Sequence, residues 1–220
     1  MLLLTLGLCM APHALQDPTA PDAVVCATGR DTILELAELD ELLILRHARS
    51  PRGREILRHL LEGRLVNAIA MERGVVATEA EIAERIGTLE EQVRASGQAQ
   101  SLEEYLKESD IDPTVFAEYM RLAVLQEKLT RLAVGIDDGD SVTGEQQSAW
   151  LDAEIVERGV REESPPFPRG IVLVCPPVQL KTSEFRDHLR TQLPQSELQE
   201  ACYHLLLAQR IRNRMPDVSP

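Results

Sequence analysis

Aromatic residues are scarce in this sequence of 220 residues: three Phe, three Tyr and one Trp make up 3% of the chain. Strands of sandwiches and barrels are enriched in aromatic and β-branched residues, whereas the Leu, Ala, Glu and Arg that dominate here favour helices. The composition therefore argues against an all-β fold. Because 44% of the residues are hydrophobic, the chain can bury an ordinary core, which argues against disorder over most of its length.

Basic residues are also in short supply. The chain has 23 Lys and Arg against 36 Asp and Glu, so its formal net charge is −13. Proteins that bind nucleic acid accumulate positive charge to neutralise phosphates, and a chain this acidic lacks that charge. We therefore expect no nucleic-acid partner.

Long hydrophobic runs are missing too. No segment reaches 18 consecutive apolar residues, so no transmembrane helix is predicted. An apolar stretch at residues 1–11 is followed by polar, proline-containing sequence, as in a secretory signal peptide with a cleavage zone near residues 14–16. We therefore expect a signal peptide over residues 1–16 and a periplasmic or secreted protein.

Motifs that carry chemistry are likewise absent from the sequence. It contains no nucleophile elbow, no P-loop, no Gly-x-Gly-x-x-Gly after a strand and no His-Glu-x-x-His. The four cysteines include no Cys-x-x-Cys pair and have no His at ligand spacing. We therefore predict no catalytic residue, no metal site and no cofactor.

Two of the cysteines, Cys26 and Cys175, lie in valine-rich, strand-like segments. In an oxidising compartment such a pair can form a disulfide. The alternative is that both are small buried apolar residues. The sequence leaves both interpretations open.

What the sequence does contain is a series of helix-start signals. Polar N-cap residues stand directly before segments with helical apolar periodicity, at Ser50-Pro51, Thr78, Ser101, Asp112-Pro113 and Thr143. Thr78, Ser101 and Thr143 each have Glu or Gln three residues later, as in a capping box. Glycines at 74, 97, 135 and 159 mark the predicted helix ends. Four or five helices are expected between residues 35 and 158.

Strand signals are fewer. Short β-branched runs at residues 23–28 and 170–175 predict two strands, and the proline-rich residues 161–169 predict a linker between domains. Two interpretations remain open near Thr32. Either Thr32 and Glu35 cap one helix over residues 32–49, or residues 32–34 form a short strand before a helix that begins near Leu36.

The two strand regions belong to an internal repeat. Val-Val-Cys at 24–26 and Leu-Val-Cys at 173–175 each precede a segment in which four positions match without a gap. The matching pairs are Leu34 and Leu180, Glu38 and Glu184, Leu39 and Phe185, and Leu43 and Leu189. We therefore predict a partial second repeat over residues 170–220. An incomplete copy that lacks its next helix favours a partner, so a homodimer is compatible with the sequence.

The order of these motifs resembles the N-terminal chaperone domain of the SurA/PrsA family of exported foldases. A strand and turn precede a helix that opens with Glu-Leu, then a long helix ending in Glu-Arg-Gly, a Thr-Glu-x-Glu-Ile helix start and a Ser-Leu-Glu-Glu-Tyr-Leu segment. The resemblance rests on residues 24–43, 57–82 and 101–132. It implies a mainly α-helical domain over residues 23–158, with a small β element of two or three strands, that binds unfolded or extended polypeptides without ATP.

Relatives of this kind often carry a parvulin-type prolyl isomerase domain, with a His-Ile-Leu strand and a Gly-Gly-x-Leu-Gly stretch. Neither pattern occurs in this sequence. Two alternative functions therefore stand beside the chaperone hypothesis. The chain is either the non-catalytic part of a peptidyl-prolyl cis-trans isomerase, or a dimerisation or scaffold module.

A set of methionine and aromatic side chains is the candidate peptide-binding site. Its members are Met71, Tyr105, Phe116, Tyr119 and Met120. Such side chains adapt to varied apolar partners, so they suit a groove that accepts many polypeptides. The alternative is that they form ordinary helical core.

Overall fold

The computed structural model describes residues 26–27, 33–97, 99–109, 111–137, 140–167 and 169–214. The predicted signal peptide, residues 1–16, lies outside these residues, as does most of the first predicted strand.

The described part of the chain is mainly helical, and the predicted fold class of helices with a small β element is confirmed. Its eight helices are α1 (Leu36–His47), α2 (Pro51–Arg73), α3 (Glu79–Ser96), α4 (Leu102–Glu108), α5 (Pro113–Val134), α6 (Gly144–Arg158), α7 (Thr182–Gln192) and α8 (Gln195–Arg214). Its five strands are β1 (Cys26–Ala27), β2 (Ile33–Leu34), β3 (Arg161–Glu162), β4 (Ile171–Cys175) and β5 (Val178–Lys181). No helix among the described residues is long and apolar enough to span a bilayer.

The chain forms two compact units that interleave along the sequence. Of the described residues, the first contains those up to residue 56, those in 164–172 and those from 181 onward, and the second contains those in 57–163 and 173–180. This division differs from the predicted order of a domain at 23–158, a linker at 161–169 and a repeat at 170–220, because α7 and α8 belong to the same unit as α1.

Local capping explains where most helices begin. Thr78 and Thr143 form the predicted capping boxes, in which the Glu81 and Gln146 side chains accept hydrogen bonds from the N-cap amides at 2.7 and 2.8 Å. Ser101 differs. Its hydroxyl caps Glu104, but the Glu104 carboxylate accepts from the Gln100 amide at 2.8 Å instead of the Ser101 amide.

The strands form two small sheets. β1 pairs with β2 in antiparallel register, Cys26 opposite Leu34, so the short strand before a helix from Leu36 is the correct interpretation near Thr32. A second antiparallel sheet has the order β3-β4-β5. Its first strand, Arg161–Glu162, lies at the start of the predicted linker at residues 161–169 and pairs with Leu173 and Val174 of β4.

The positions aligned in the internal repeat have matching environments. Before α1, the Glu35 amide donates to the Glu38 carboxylate at 3.3 Å, and before α7 the Lys181 amide donates to Glu184 at 2.9 Å. The six matched apolar positions are all buried, namely Leu34, Leu39, Leu43, Leu180, Phe185 and Leu189. In the first unit, α1 packs against both α7 and α8.

A buried ion pair joins α1 to α7 within the first unit. Asp40 is buried, and its carboxylate accepts hydrogen bonds from the Arg190 guanidinium, through Nε at 2.6 Å and through Nη2. Arg186, one helical turn earlier, places its Nε 3.8 Å from the same carboxylate. The charge of Asp40 is therefore compensated by two arginines on one face of α7.

The α1–α2 junction requires glycine at position 53. The Ser50 hydroxyl donates to the His47 carbonyl at 3.1 Å and accepts from the Gly53 amide at 2.9 Å, which draws the first turn of α2 onto the end of α1. A Cβ at Gly53 would lie 1.8 Å from the His47 carbonyl oxygen. Only glycine fits this close approach of two backbone segments.

We expect Gly53→Ala and Gly87→Ala to change stability in opposite directions. Gly53→Ala should lower the free energy of unfolding by about 1–3 kcal/mol, because backbone must move to admit the methyl group. Gly87 lies inside α3, and a Cβ there meets no atom within 4 Å. Gly87→Ala should therefore raise stability by about 0.5–1 kcal/mol. Urea denaturation of the three proteins measures both changes, and equal stability of the two variants would contradict the close approach.

Candidate functional site

An apolar cluster in the second unit holds part of the predicted peptide-binding set. Val93, Leu102 and Leu106 are buried at its centre. Five partly buried residues pack against them, namely Ile86, Ala99, Tyr105, Ile111 and Phe116. Most of the apolar side chains in this cluster are thus only partly covered, which distinguishes it from a closed core.

Helix α4 and its caps position the aromatic members of this cluster. Ser101 caps the start of α4, and the Ile111 amide closes its end by donating to the Leu106 carbonyl at 2.8 Å. Asp112 then starts α5 at once, since its carboxylate accepts from the amides of Thr114 and Val115 at 2.7 and 3.1 Å. The short helix and the immediate restart bring Tyr105 and Phe116 to the same cluster.

The structure brings together some of the five predicted residues but not all. Tyr105 and Phe116 pack on the cluster, and Tyr119 follows on α5 with 45% of its surface exposed. Met120 is half-buried. Met71, at the end of α2, is 84% exposed and does not belong to the cluster, so its inclusion in one groove with the aromatics is not supported by their placement.

One exposed apolar residue of this region was missed by the sequence analysis. Val115 is exposed and lies one helical turn before Tyr119, so the two side chains are neighbours on the surface of α5. The four-residue spacing between Val115 and Tyr119 is visible in the sequence.

Charged groups border the apolar cluster. A cavity of about 430 Å³ is lined by Arg94, Gly97, Ala99, Gln100, Glu104 and Glu108. On α5, Arg121 donates to both Glu118 oxygens at 2.6 and 2.8 Å, and these bonds lower the pKa of Glu118. Next to the exposed Tyr119 the surface therefore carries a paired, ionised carboxylate at neutral pH.

Other titratable clusters of the second unit link its elements to one another. Lys128 donates to Glu81 at 2.6 Å, and this bond together with the Thr78 amide lowers the pKa of Glu81 to about 2. Glu154 is buried and paired with Arg73 and Arg158, while Arg158 also binds Glu72 at 2.7 Å. These paired groups join helices of the second unit to one another.

A second cavity lies within the first unit. It has a volume of about 340 Å³ and is lined by Ala37, Asp40, Glu41, Ile44, Leu45, Pro166, Phe167, Thr182, Ser183 and Arg186. The Thr182 hydroxyl is buried without a hydrogen-bond partner, and Asp40 is held by its arginines. No residue of this cavity belongs to the predicted peptide-binding set.

Strand β4 bears on the two interpretations of Cys26 and Cys175. Cys175 is a buried free thiol, so the disulfide with Cys26 is not formed in this structure. Burial raises the pKa of the Cys175 thiol, which keeps it protonated and unreactive. Cys202 in α8 is also buried. Cys175 therefore matches the alternative of a small buried apolar residue.

Comparison of the chain with models of protein families, with curated proteins and with solved structures finds no match.

Proposed function

We propose that the chain is an ATP-independent, chaperone-like module that binds unfolded or extended polypeptides. The observation that carries the proposal is the partly covered apolar cluster of the second unit, together with the exposed Val115 and Tyr119 beside it. The order of helix motifs that resembles exported foldases supports the same function.

The physical basis of binding is the character of these side chains. Aromatic rings offer large apolar faces that accept many side chains without demanding one geometry, and the Tyr hydroxyl bonds to backbone groups. The Glu118–Arg121 pair next to them keeps the surface hydrated. An unfolded client would gain hydrophobic contact at Tyr119 and would lose this contact when it folds. Binding and release of the client therefore require no nucleotide.

The cellular location and the family of the protein are part of the same hypothesis. We propose that it acts in the periplasm or outside the cell, as a relative of the SurA/PrsA foldases. A role as the non-catalytic part of a peptidyl-prolyl isomerase is the enzyme-class alternative. Self-association belongs to the same proposal, because a homodimer would present two client-binding surfaces in one particle.

Suppression of aggregation tests client binding. A chemically unfolded client is diluted into buffer with stoichiometric protein, and light scattering is followed. We expect the wild-type chain to reduce scattering and Tyr119→Asp or Val115→Asp to lose most of that effect. An apolar segment that covers this surface would have to remove the new carboxylate from water, which costs free energy. Both residues are exposed, so the variants should stay folded by circular dichroism.

Leu132→Asp is the matched control. Leu132 is an exposed apolar residue of the same helix, about 20 Å further along its axis. It should suppress aggregation as well as the wild-type chain does. Equal loss in Leu132→Asp and Tyr119→Asp, or no suppression by the wild-type chain, would contradict the proposal.

A further inference from the structure

Helix α8 carries an apolar stripe on its solvent side. Tyr203, Leu207 and Ile211 follow each other at four-residue spacing and are 64%, 43% and 53% exposed. The opposite side of the helix packs within the first unit, where Ala201 and Cys202 are buried and Gln209 donates to Glu38 at 2.9 Å. The stripe is therefore a second apolar face of a helix that already has a buried one.

The charges of α8 are divided between its two ends. Glu197 and Glu200 lie in the first turns, and Arg210 and Arg212 lie near the end. The stripe is centred on Leu207, with Tyr203 and Ile211 each about 6 Å away along the axis. A two-fold axis through Leu207 would place Tyr203 opposite Ile211 of a second copy, so the apolar pattern is self-complementary.

The charge pattern selects the antiparallel orientation. In that arrangement Glu200 lies within about 6 Å, along the axis, of Arg210 of the second copy, and each acidic end meets a basic end. A parallel pair would instead place Glu200 beside Glu200 and Arg210 beside Arg210, and such like-charge contacts are repulsive. His204, at the edge of the stripe, has its Nδ1 2.9 Å from the Arg46 guanidinium of its own copy and 4.0 Å from the Glu200 carboxylate.

We propose that the Tyr203–Leu207–Ile211 stripe is the interface of a homodimer in which two α8 helices pair antiparallel about Leu207. The inference rests on the self-association in the proposed function and requires nothing of client binding. Three apolar side chains per copy make a small contact, so the dimer should exchange at micromolar concentrations.

Sedimentation and cross-linking test this arrangement. The wild-type chain should shift from monomer to dimer as its concentration rises from 1 to about 200 µM, an interval chosen for a small contact. Leu207→Asp should remain monomeric over this interval, while Ala208→Asp, the same charge on the neighbouring exposed position, should still dimerise. Circular dichroism checks that both variants are folded.

Single cysteine substitutions on α8 then test how the two α8 helices are aligned in the dimer. Under mild oxidation Leu207→Cys should give a covalent dimer above the background of the wild-type cysteines, because the two copies of residue 207 meet at the axis. Tyr203→Cys should not, since its two copies lie about 12 Å apart along the axis, beyond disulfide reach. A monomeric wild-type chain, or cross-linking through 203 and not 207, would overturn the proposal. If the wild-type chain is monomeric and Leu207→Asp loses aggregation suppression, the stripe binds clients instead of a second copy. That result would also overturn the proposal.

Discussion

Phe185→Ala should lower the free energy of unfolding by about 3–5 kcal/mol. Phe185 is fully buried on α7, at the position that the repeat aligns with Leu39 of α1. Its removal deletes apolar contact and leaves a cavity that the packed helices around it cannot fill. Guanidinium denaturation followed by circular dichroism measures the loss.

The control for Phe185→Ala is a large apolar residue outside any core. Leu132 on α5 is mostly exposed, so Leu132→Ala should change the free energy of unfolding by less than about 0.5 kcal/mol. If Phe185→Ala cost no more than Leu132→Ala, the first unit would not be organised around α7 in solution.

Arg190→Met should destabilise the protein by about 3 kcal/mol. The substitution keeps most of the apolar stem of the side chain but removes the two hydrogen bonds to the buried Asp40 carboxylate. An anion left in a buried site without its main partner carries the desolvation penalty alone, and Arg186 at 3.8 Å compensates it only in part. Thermal and urea unfolding measure this change.

Two further variants separate the ion pair from general effects of losing an arginine. Arg58→Met removes an exposed pair with Asp152 and should cost no more than about 1 kcal/mol. The double variant Asp40→Leu with Arg190→Met should recover most of the loss, because it removes the buried charge as well as its partner. A double variant as unstable as Arg190→Met alone would show that the charge of Asp40 is not the cause.

The elements predicted correctly from the sequence are those fixed by neighbours in the chain. Thr78, Asp112 and Thr143 start helices because their side chains bond to amides two or three residues later, and this spacing is visible in the sequence. Gly135 ends α5 at φ 72°, a conformation that favours glycine. The fold class follows from such local signals.

The elements that were missed depend on distant partners. Arg161–Glu162 is too short and too polar to be recognised as a strand, and it exists because Leu173 and Val174 lie opposite. The Asp40–Arg190 pair joins residues 150 positions apart, which no spacing rule reveals. For the candidate site the same limit applies: helical periodicity identified Tyr105 and Phe116 as apolar positions, but only the packing of α3, α4 and α5 separates them from the exposed Met71.

Because the two units interleave along the sequence, α1 is synthesised well before the helices that pack against it. Helix α1 ends at residue 47, yet its partners α7 and α8 begin only at residues 182 and 195. At translation rates of roughly 5–20 residues per second, about 7–30 s separate the synthesis of α1 from that of α8. During this interval the apolar side of α1, with Leu39 and Leu43, has neither helix to cover it, while the segments of the second unit through α6 have already been made. The nascent first unit therefore exposes the apolar side of α1 until α7 and α8 have been made.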